Sequence, residues 1–403
     1  MDSYSKMSQL NQDKEKIVNL IEQVSRELIS LSHKIHKNPE GGFKEIKASK
    51  WLSDFLKKKG FKVKKGVCSL PTAFSAEFKI GVEKKKSPSV AFIAEYDALP
   101  VIGHGCGHNI IGPASCGAAY AVKKVLSEKK IPAVIKVIGT PAEEGGGGKV
   151  KMIEKNFFKD IDAAMMIHPD IKTRVRSEFL ANRQVKFHFY GKSSHAAASP
   201  HEGVNALDAV ILTFNNINAL RQQLREDVKV HGIITDGGVK PNIIPDYASC
   251  WFYVRTREKK ILPQVYKKIL NCASAAAKAT GCRIKIEEDE IIYYPMKHNE
   301  CLEDVFRENL KILKEPENLK DIRGTGSSDI GNLSQIVPTI HPNIKIGEGL
   351  SGIHSEEFCR AAISKSADEG LLKGAKALAM TAYDIIVYPE KLKKIKSDFR
   401  KKK

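Results

Sequence analysis

The run Gly103-His104-Gly105-Cys106-Gly107-His108-Asn109 places a thiol and an imidazole two residues apart between glycines. Pro141-Ala142-Glu143-Glu144, Ile167-His168-Pro169 and Gly352-Ile353-His354-Ser355-Glu356-Glu357 follow it along the chain. The set offers one thiol, three imidazoles and two adjacent carboxylates. In an extended segment Cys106 and His108 point to one side, and Gly105 and Gly107 let the backbone come close to an ion. Thiolate, neutral imidazole and carboxylate are the ligands of zinc, and a thiolate disfavours magnesium or calcium. Glu143 and Glu144 point opposite ways in extended chain, so one can bind metal while the other faces the attacking water. A bound metal lowers the pKa of water from ~16 to about 7, and a neighbouring base carries the proton to the leaving group. The chemistry is metal-assisted hydrolysis of an amide or ester. Each residue also has a plainer reading: Cys106 as a small core side chain, His168 and His354 as strand-end and loop histidines, Glu143-Glu144 as a solvated helix start.

With Ala94-Glu95-Tyr96-Asp97-Ala98-Leu99-Pro100 ahead of the Cys-Gly-His run, the chain resembles the dinuclear zinc aminoacylase and carboxypeptidase family of metallopeptidases, over about His36 to Phe358. Within it the amidohydrolase branch is most similar, and its dipeptidases for β-alanyl-lysine and other dipeptides with a basic C-terminal residue most of all. Asn109 stands where many of that branch have Asp, which favours the dipeptidase-like members over the plant-hormone-conjugate hydrolases. The resemblance implies two divalent metal ions, zinc first, with manganese or cobalt as alternatives. It implies that Cys106 bridges them, that His108 and His168 complete one site and Glu144 and His354 the other, and that Glu143 is the general base. Asp97 would orient a ligand. His195, in Ser193-Ser194-His195-Ala196-Ala197, would stabilise the oxyanion. Asn242, in Lys240-Pro241-Asn242-Ile243-Ile244-Pro245, and Arg255 would grip the substrate carboxylate, a role suited to the planar guanidinium fork. His195 and Asn242 would reach into the partner subunit's site, which makes the active form a homodimer joined through its lid. The expected substrate is a dipeptide or N-acyl amino acid with a free C-terminal carboxylate. An aminobenzoyl-glutamate-type or acyl-amino-acid hydrolase is the alternative, and a non-catalytic scaffold or a basic-tail nucleic-acid binder belongs to another class. For His195, Asn242 and Arg255 a structural role stays open, and the remaining histidines read as structural or surface residues.

Other function classes fit less well. The four glycines after Glu144 lead to Lys149-Val150, not the Lys-Ser/Thr of a phosphate loop. The net charge of +19 could attract nucleic acid or an anionic membrane. It is spread over lysine runs at Lys57-Lys58-Lys59 and Lys84-Lys85-Lys86, and only Lys391 to Lys403 is a cluster. The sequence shows no aromatic-basic interleaving of a strand-binding surface, so a solvated surface with a frayed tail is expected, without nucleic acid or membrane as partner. No stretch approaches ~18 apolar residues, and Met1 to Glu15 has no apolar signal core. The eight cysteines are scattered without paired spacing, pointing to reduced thiols and a cytoplasmic setting.

These residues need elements to carry them. Apolar residues at helical spacing from Ile17 to Ile35 predict an amphipathic helix ended by Asn38-Pro39-Glu40-Gly41-Gly42. Further helices are expected at 48–59 and 113–127. Strands are expected at 89–93, 134–139 and 163–167, ending at Asp97, at Glu143-Glu144 and at His168, the carboxyl edge where α/β sheets build sites. The fold class expected is α/β, a mostly parallel sheet with helices on both faces. From about Asn182 the pattern changes to strand 185–190, helix 203–224, strands 229–235 and 247–255, helix 263–280 and strand 282–287. That is the βαββαβ order of a ferredoxin-like insert. The expected organisation is a catalytic domain over 1–181 and 291–403 and a lid and dimerisation domain over 182–290, with hinges near Asn182 and Glu290. The loop Gly324-Thr325-Gly326-Ser327-Ser328-Asp329 lies on the return path.

Overall fold

The computed structural model describes residues 3–81, 87–319, 326–350 and 352–401. Lys84-Lys85-Lys86, the start of the Gly324–Asp329 loop and the last two lysines lie outside the described residues. In chain order the elements are α1 (Ser3–His36), α2 (Ile46–Lys58), β1 (Lys62–Lys65), β2 (Phe74–Ile80), β3 (Ser89–Ala94), α3 (His108–Glu128), β4 (Ala133–Gly139), α4 (Gly148–Glu154), β5 (Ala163–Met165) and β6 (His168–Asp170). Next come β7 (Ala181–Tyr190), α5 (Ala206–Leu220), β8 (Lys229–Asp236), β9 (Tyr247–Thr256), α6 (Leu262–Thr280) and β10 (Arg283–Glu288). The chain ends with α7 (Glu300–Ile312), α8 (Ile330–Ser334), β11 (Thr339–Ile340), β12 (Asn343–Lys345), α9 (Glu356–Ala361), α10 (Lys365–Val387) and α11 (Pro389–Lys401). They form two compact units, one of Met1–Glu178, Met296–Gly324 and Asp329–Lys403, the other of Phe179–Pro295 with Thr325–Ser328.

The first unit is built on a six-stranded sheet in the order β1-β2-β4-β3-β5-β11. β3 lies at its heart with every residue buried, as a strand covered on both faces must be. β4 and β5 flank it in parallel and β11 continues the parallel run. The sheet is mostly parallel, with β2 alone reversed: it runs antiparallel to both β1 and β4. The sequence reading did not include β1 and β2. β1 is a polar edge strand, Lys62 to Lys65, and its side chains carry no core signal. Helix α3 packs against α1, α10 and β3. It is buried almost all round, the mark of an internal helix. It begins at His108, five residues before the expected start, with Pro113 inside it. Gly107, in the left-handed region at φ 77°, turns the chain into the helix, and Pro113 sacrifices one backbone hydrogen bond. As far as Lys401 the C-terminal tail is helical, not frayed. Leu392 and Ile395 on one face of α11 are buried, and Lys297 sits over the Phe399 ring, so an apolar stripe holds the lysine-rich helix down.

The second unit has the order β10-β7-β9-β8, all antiparallel, with α5 and α6 packed on it. Val185, Phe187, Phe189, Phe252 and Val254 alternate inwards and meet Val210, Ile217, Val265 and Ile269 of the helices. The connection βαββαβ is the ferredoxin-like one.

Candidate metal centre

Three strands of the first unit end where reactive side chains begin. β3 runs into Glu95, Tyr96 and Asp97, all buried. β4 leads to Thr140 and the Glu143-Glu144 turn, and β5 leads to His168 at the head of β6. His354 arrives from the far end of the chain, its N–H donating to the Gly105 carbonyl at 2.8 Å. It sits in the left-handed region at φ 64°, a conformation non-glycine residues hold mainly where the surroundings fix it. Gly107 is demanded by packing as well as by conformation, since a Cβ there would lie 2.5 Å from Pro169 Cγ.

The side chains meet in three overlapping groups, each with its ligand atoms within 4.8 Å of one another: Cys106, His108 and His168; Cys106, Glu144 and His354; His108, Glu143 and Glu144. Cys106 belongs to the first two and so stands between them. Its Sγ is 3.5 Å from His168 Nε2. Asp97 holds the frame: one oxygen pairs with His108 Nδ1 at 3.0 Å and the other accepts the Glu144 N–H at 2.9 Å. This leaves His108 Nε2 facing the cluster, where it is buried without a hydrogen-bond partner among the described residues. His168 Nδ1 pairs with the Pro169 carbonyl at 2.8 Å, which turns its Nε2 inward as well. These orientations, set by the other ring nitrogen, are how proteins aim imidazoles at an ion.

The electrostatics separate the two neighbouring glutamates. Burial pushes the Glu143 carboxyl well up, and the nearby Glu95, Glu144 and Asp329 carboxylates push the same way. Burial also acts upward on Glu144, but His354 and His108 outweigh it and hold that carboxyl below its usual value. Asp97 likewise falls, its burial outweighed by His108 and the Glu144 amide. Burial raises the Cys106 thiol well above its ordinary range, with His108 acting the other way, and a cation beside the sulfur would favour the thiolate. Glu95, Asp97, Glu143 and Asp329 lie round one buried lysine, Lys149, which pairs directly with Glu95 and Asp329. A cluster of buried carboxyl groups, an inward imidazole nitrogen of His108 without a hydrogen-bond partner among the described residues and a sulfur shared by two ligand groups all fit a pair of divalent cations.

The other three expected site residues lie in the second unit. His195 Nδ1 accepts the N–H groups of Ala197 at 3.2 Å and Ala198 at 3.1 Å. That nitrogen must be unprotonated, so Nε2 carries the hydrogen and is a donor. His195 and Asn242 come together, because Ala196 N–H donates to the Asn242 carbonyl at 3.0 Å and His195 pairs with Ile243. Arg255 on β9 donates from one Nη to Ser327 Oγ at 3.1 Å.

A family model described as Peptidase family M20/M25/M40 matches residues 91–384. The chain belongs to that peptidase family. It is 40% identical over 407 residues to the Xaa-Arg dipeptidase of Mus musculus, which covers 98% of this chain and 94% of the relative. The Homo sapiens Xaa-Arg dipeptidase is 39% identical over 398 residues, covering 95% and 91%. Among solved structures, a dinuclear metal-binding peptidase of the M20 family from Bacillus subtilis superposes with a TM-score of 0.69 at 18% identity, covering 91% of this chain and 99% of that one. As a member of this peptidase family the chain is an enzyme that hydrolyses peptide or amide bonds.

Four residues at the centre escaped the sequence reading. Glu95 and Lys149 are fully buried and paired at 2.5 Å, and Asp329 joins Lys149 at 2.6 Å. Charges directly after an apolar strand (Glu95) and a glycine run (Lys149) were the available signal. His341, read as structural or surface, is buried with its ring 5.1 Å from that of His168. His36 and His104, read the same way, stack on each other at 5.9 Å near Cys359.

Proposed function

We propose that this M20-family enzyme is a dipeptidase that cleaves dipeptides ending in a basic residue at a free C-terminal carboxylate. The observation that carries the reading is the pair of ligand groups sharing Cys106, with the Glu143 carboxylate beside them. The near-full-length similarity to two Xaa-Arg dipeptidases supports the substrate class. His108 and His168 would hold one ion and Glu144 and His354 the other, with Cys106 belonging to both ligand groups. The thiolate in the set favours zinc. The chemistry such ions would supply is Lewis-acid activation of a water and of a carbonyl at neutral pH. Asp97 fixes the His108 ring and the Glu144 main chain. Glu143 accepts the proton of the attacking water and delivers it to the leaving amine. The Nε2–H of His195 donates to the developing oxyanion, the usual work of a preorganised donor. Asn242 and Arg255 bind the substrate carboxylate.

The second unit is assigned as lid and dimerisation domain, with His195 and Asn242 serving the site of the second subunit. β8 is an edge strand, and Ile233 and Ile234 on it are 58% and 48% exposed. An apolar unpaired edge is a template for a second strand. All eight cysteines are free, which agrees with a reducing, cytoplasmic setting. Among the described residues no helix is long and apolar enough to cross a membrane.

The test is amino-acid release from β-alanyl and α-aminoacyl dipeptides ending in lysine, ornithine or arginine, beside N-acyl glutamates, with added zinc or manganese. Release of the basic amino acid, absent in Glu143→Ala, is the expected result. Release of glutamate or an apolar amino acid alone would move the enzyme to a neighbouring specificity.

A further inference from the structure

Lys149 is the second residue of α4, directly after the glycine run that follows Glu143 and Glu144. It has no solvent exposure. Its ammonium lies 2.5 Å from Glu95 Oε1 and 2.6 Å from Asp329 Oδ1, and its main-chain N–H donates to Asp329 Oδ2 at 2.8 Å. One carboxylate thus receives both the backbone and the side chain of the same lysine. Glu95, two residues before Asp97, turns its other oxygen to His108 Nε2 at 3.7 Å, about as near as Glu143 at 4.0 Å and Glu144 at 3.9 Å. The chemistry assigned above does not use any of these three residues.

We propose that Lys149 is a positioning residue whose fixed positive charge holds Glu95 off the ion bound at His108 and, through Asp329, anchors the chain that carries Glu143 and Glu144. The physical reasons are two. An ammonium with two carboxylates in a water-free site is stable only as a unit, and removing the lysine leaves uncompensated buried charge. A carboxylate that close to a ligand nitrogen is itself a metal ligand unless something else holds it. The Asp329 carboxylate also fixes the start of α4, so the glycine run cannot let the Glu143-Glu144 turn drift.

The experiment compares wild type with Lys149→Met, Asp329→Asn and the double variant Glu95→Gln/Lys149→Met. The readouts are zinc affinity by chelator competition, thermal unfolding of the metal-free chain, and kcat and KM on the best dipeptide. Both single variants should lose roughly 10–100-fold in zinc affinity, the size seen for residues that orient metal ligands, and lose kcat with KM little changed. The double variant should recover part of the affinity that Lys149→Met loses, because Glu95, the carboxylate facing His108 Nε2, is then neutral while Asp329 alone is left without its ammonium partner, and should melt above Lys149→Met. Should Lys149→Met fail to fold, Asp329→Asn, which keeps an acceptor for the Lys149 N–H, carries the test. Single variants with wild-type zinc affinity, or a double variant no better than Lys149→Met, would overturn the proposal. The kinetic readout rests on the dipeptidase reading. Zinc affinity and melting do not, so an enzyme inactive on every dipeptide would sink that reading and leave this test decisive.

Discussion

Asp97 is where one side chain does the most positioning, since it fixes a ring nitrogen on α3 and a main-chain N–H on the loop after β4. Asp97→Asn should keep the fold and lower metal affinity or turnover by about 10–100-fold, read by chelator competition. The adjacent glutamates should part company on mutation. Glu143→Ala should bind both ions and lose turnover by roughly 10²–10⁴-fold, the usual share of a general base. Glu144→Ala should lose metal, because its carboxylate shares a ligand group with Cys106 and His354. Equal metal contents in the two variants, measured by elemental analysis, would contradict the division of roles. Cys106, His108 and the glutamates were legible in the sequence because short spacing between distinctive residue types survives without the fold. Lys149 and Asp329 were not, since 180 residues separate them and only the folded chain makes them a pair.

At the scale of elements, the loops that follow β3, β4 and β5 bring the residues together, and their backbones leave little room. Gly148 shows the tolerance: a Cβ there would stand 1.8 Å from the Pro141 carbonyl oxygen. Backbone cannot yield as a side-chain tip does. Gly148→Ala should therefore destabilise the chain by about 1–3 kcal/mol, the range for overpacking, seen as a lowered denaturant midpoint. An unchanged midpoint would mean the loop shifts freely and is no rigid support for Glu143. The strands that reach the site were readable as short apolar runs ended by loop residues. The antiparallel β1 and β2 were not, because Lys62 to Lys65 is an edge strand whose residues face water and whose place is set by pairing with β2. The early start of α3 was hidden by Pro113, which reads as a first-turn residue although Gly107 sets the start.

At the scale of the molecule, the proposed dimer makes its own prediction. Ile233→Lys puts a charge on the exposed edge of β8, a device that blocks strand pairing. It should give a monomer by light scattering that keeps its metal and loses activity, because His195 and Asn242 would no longer reach a second subunit. An active monomer would contradict the shared site. The second unit was legible from the period-two strands and the order of elements. Its alternation survives because α5 and α6 are packed on the sheet and the core lies between them. The basic tail was legible as charge and not as structure, since its few apolar residues, Leu392, Ile395 and Phe399, are diluted by lysines. The proposed chemistry needs two metal ions whose ligand groups share Cys106. The most direct measurement is metal per chain, by elemental analysis after dialysis, in wild type, Glu143→Ala and Cys106→Ala. Two ions are expected in the first two proteins and at most one in the third. Two ions in Cys106→Ala would contradict the shared role of Cys106.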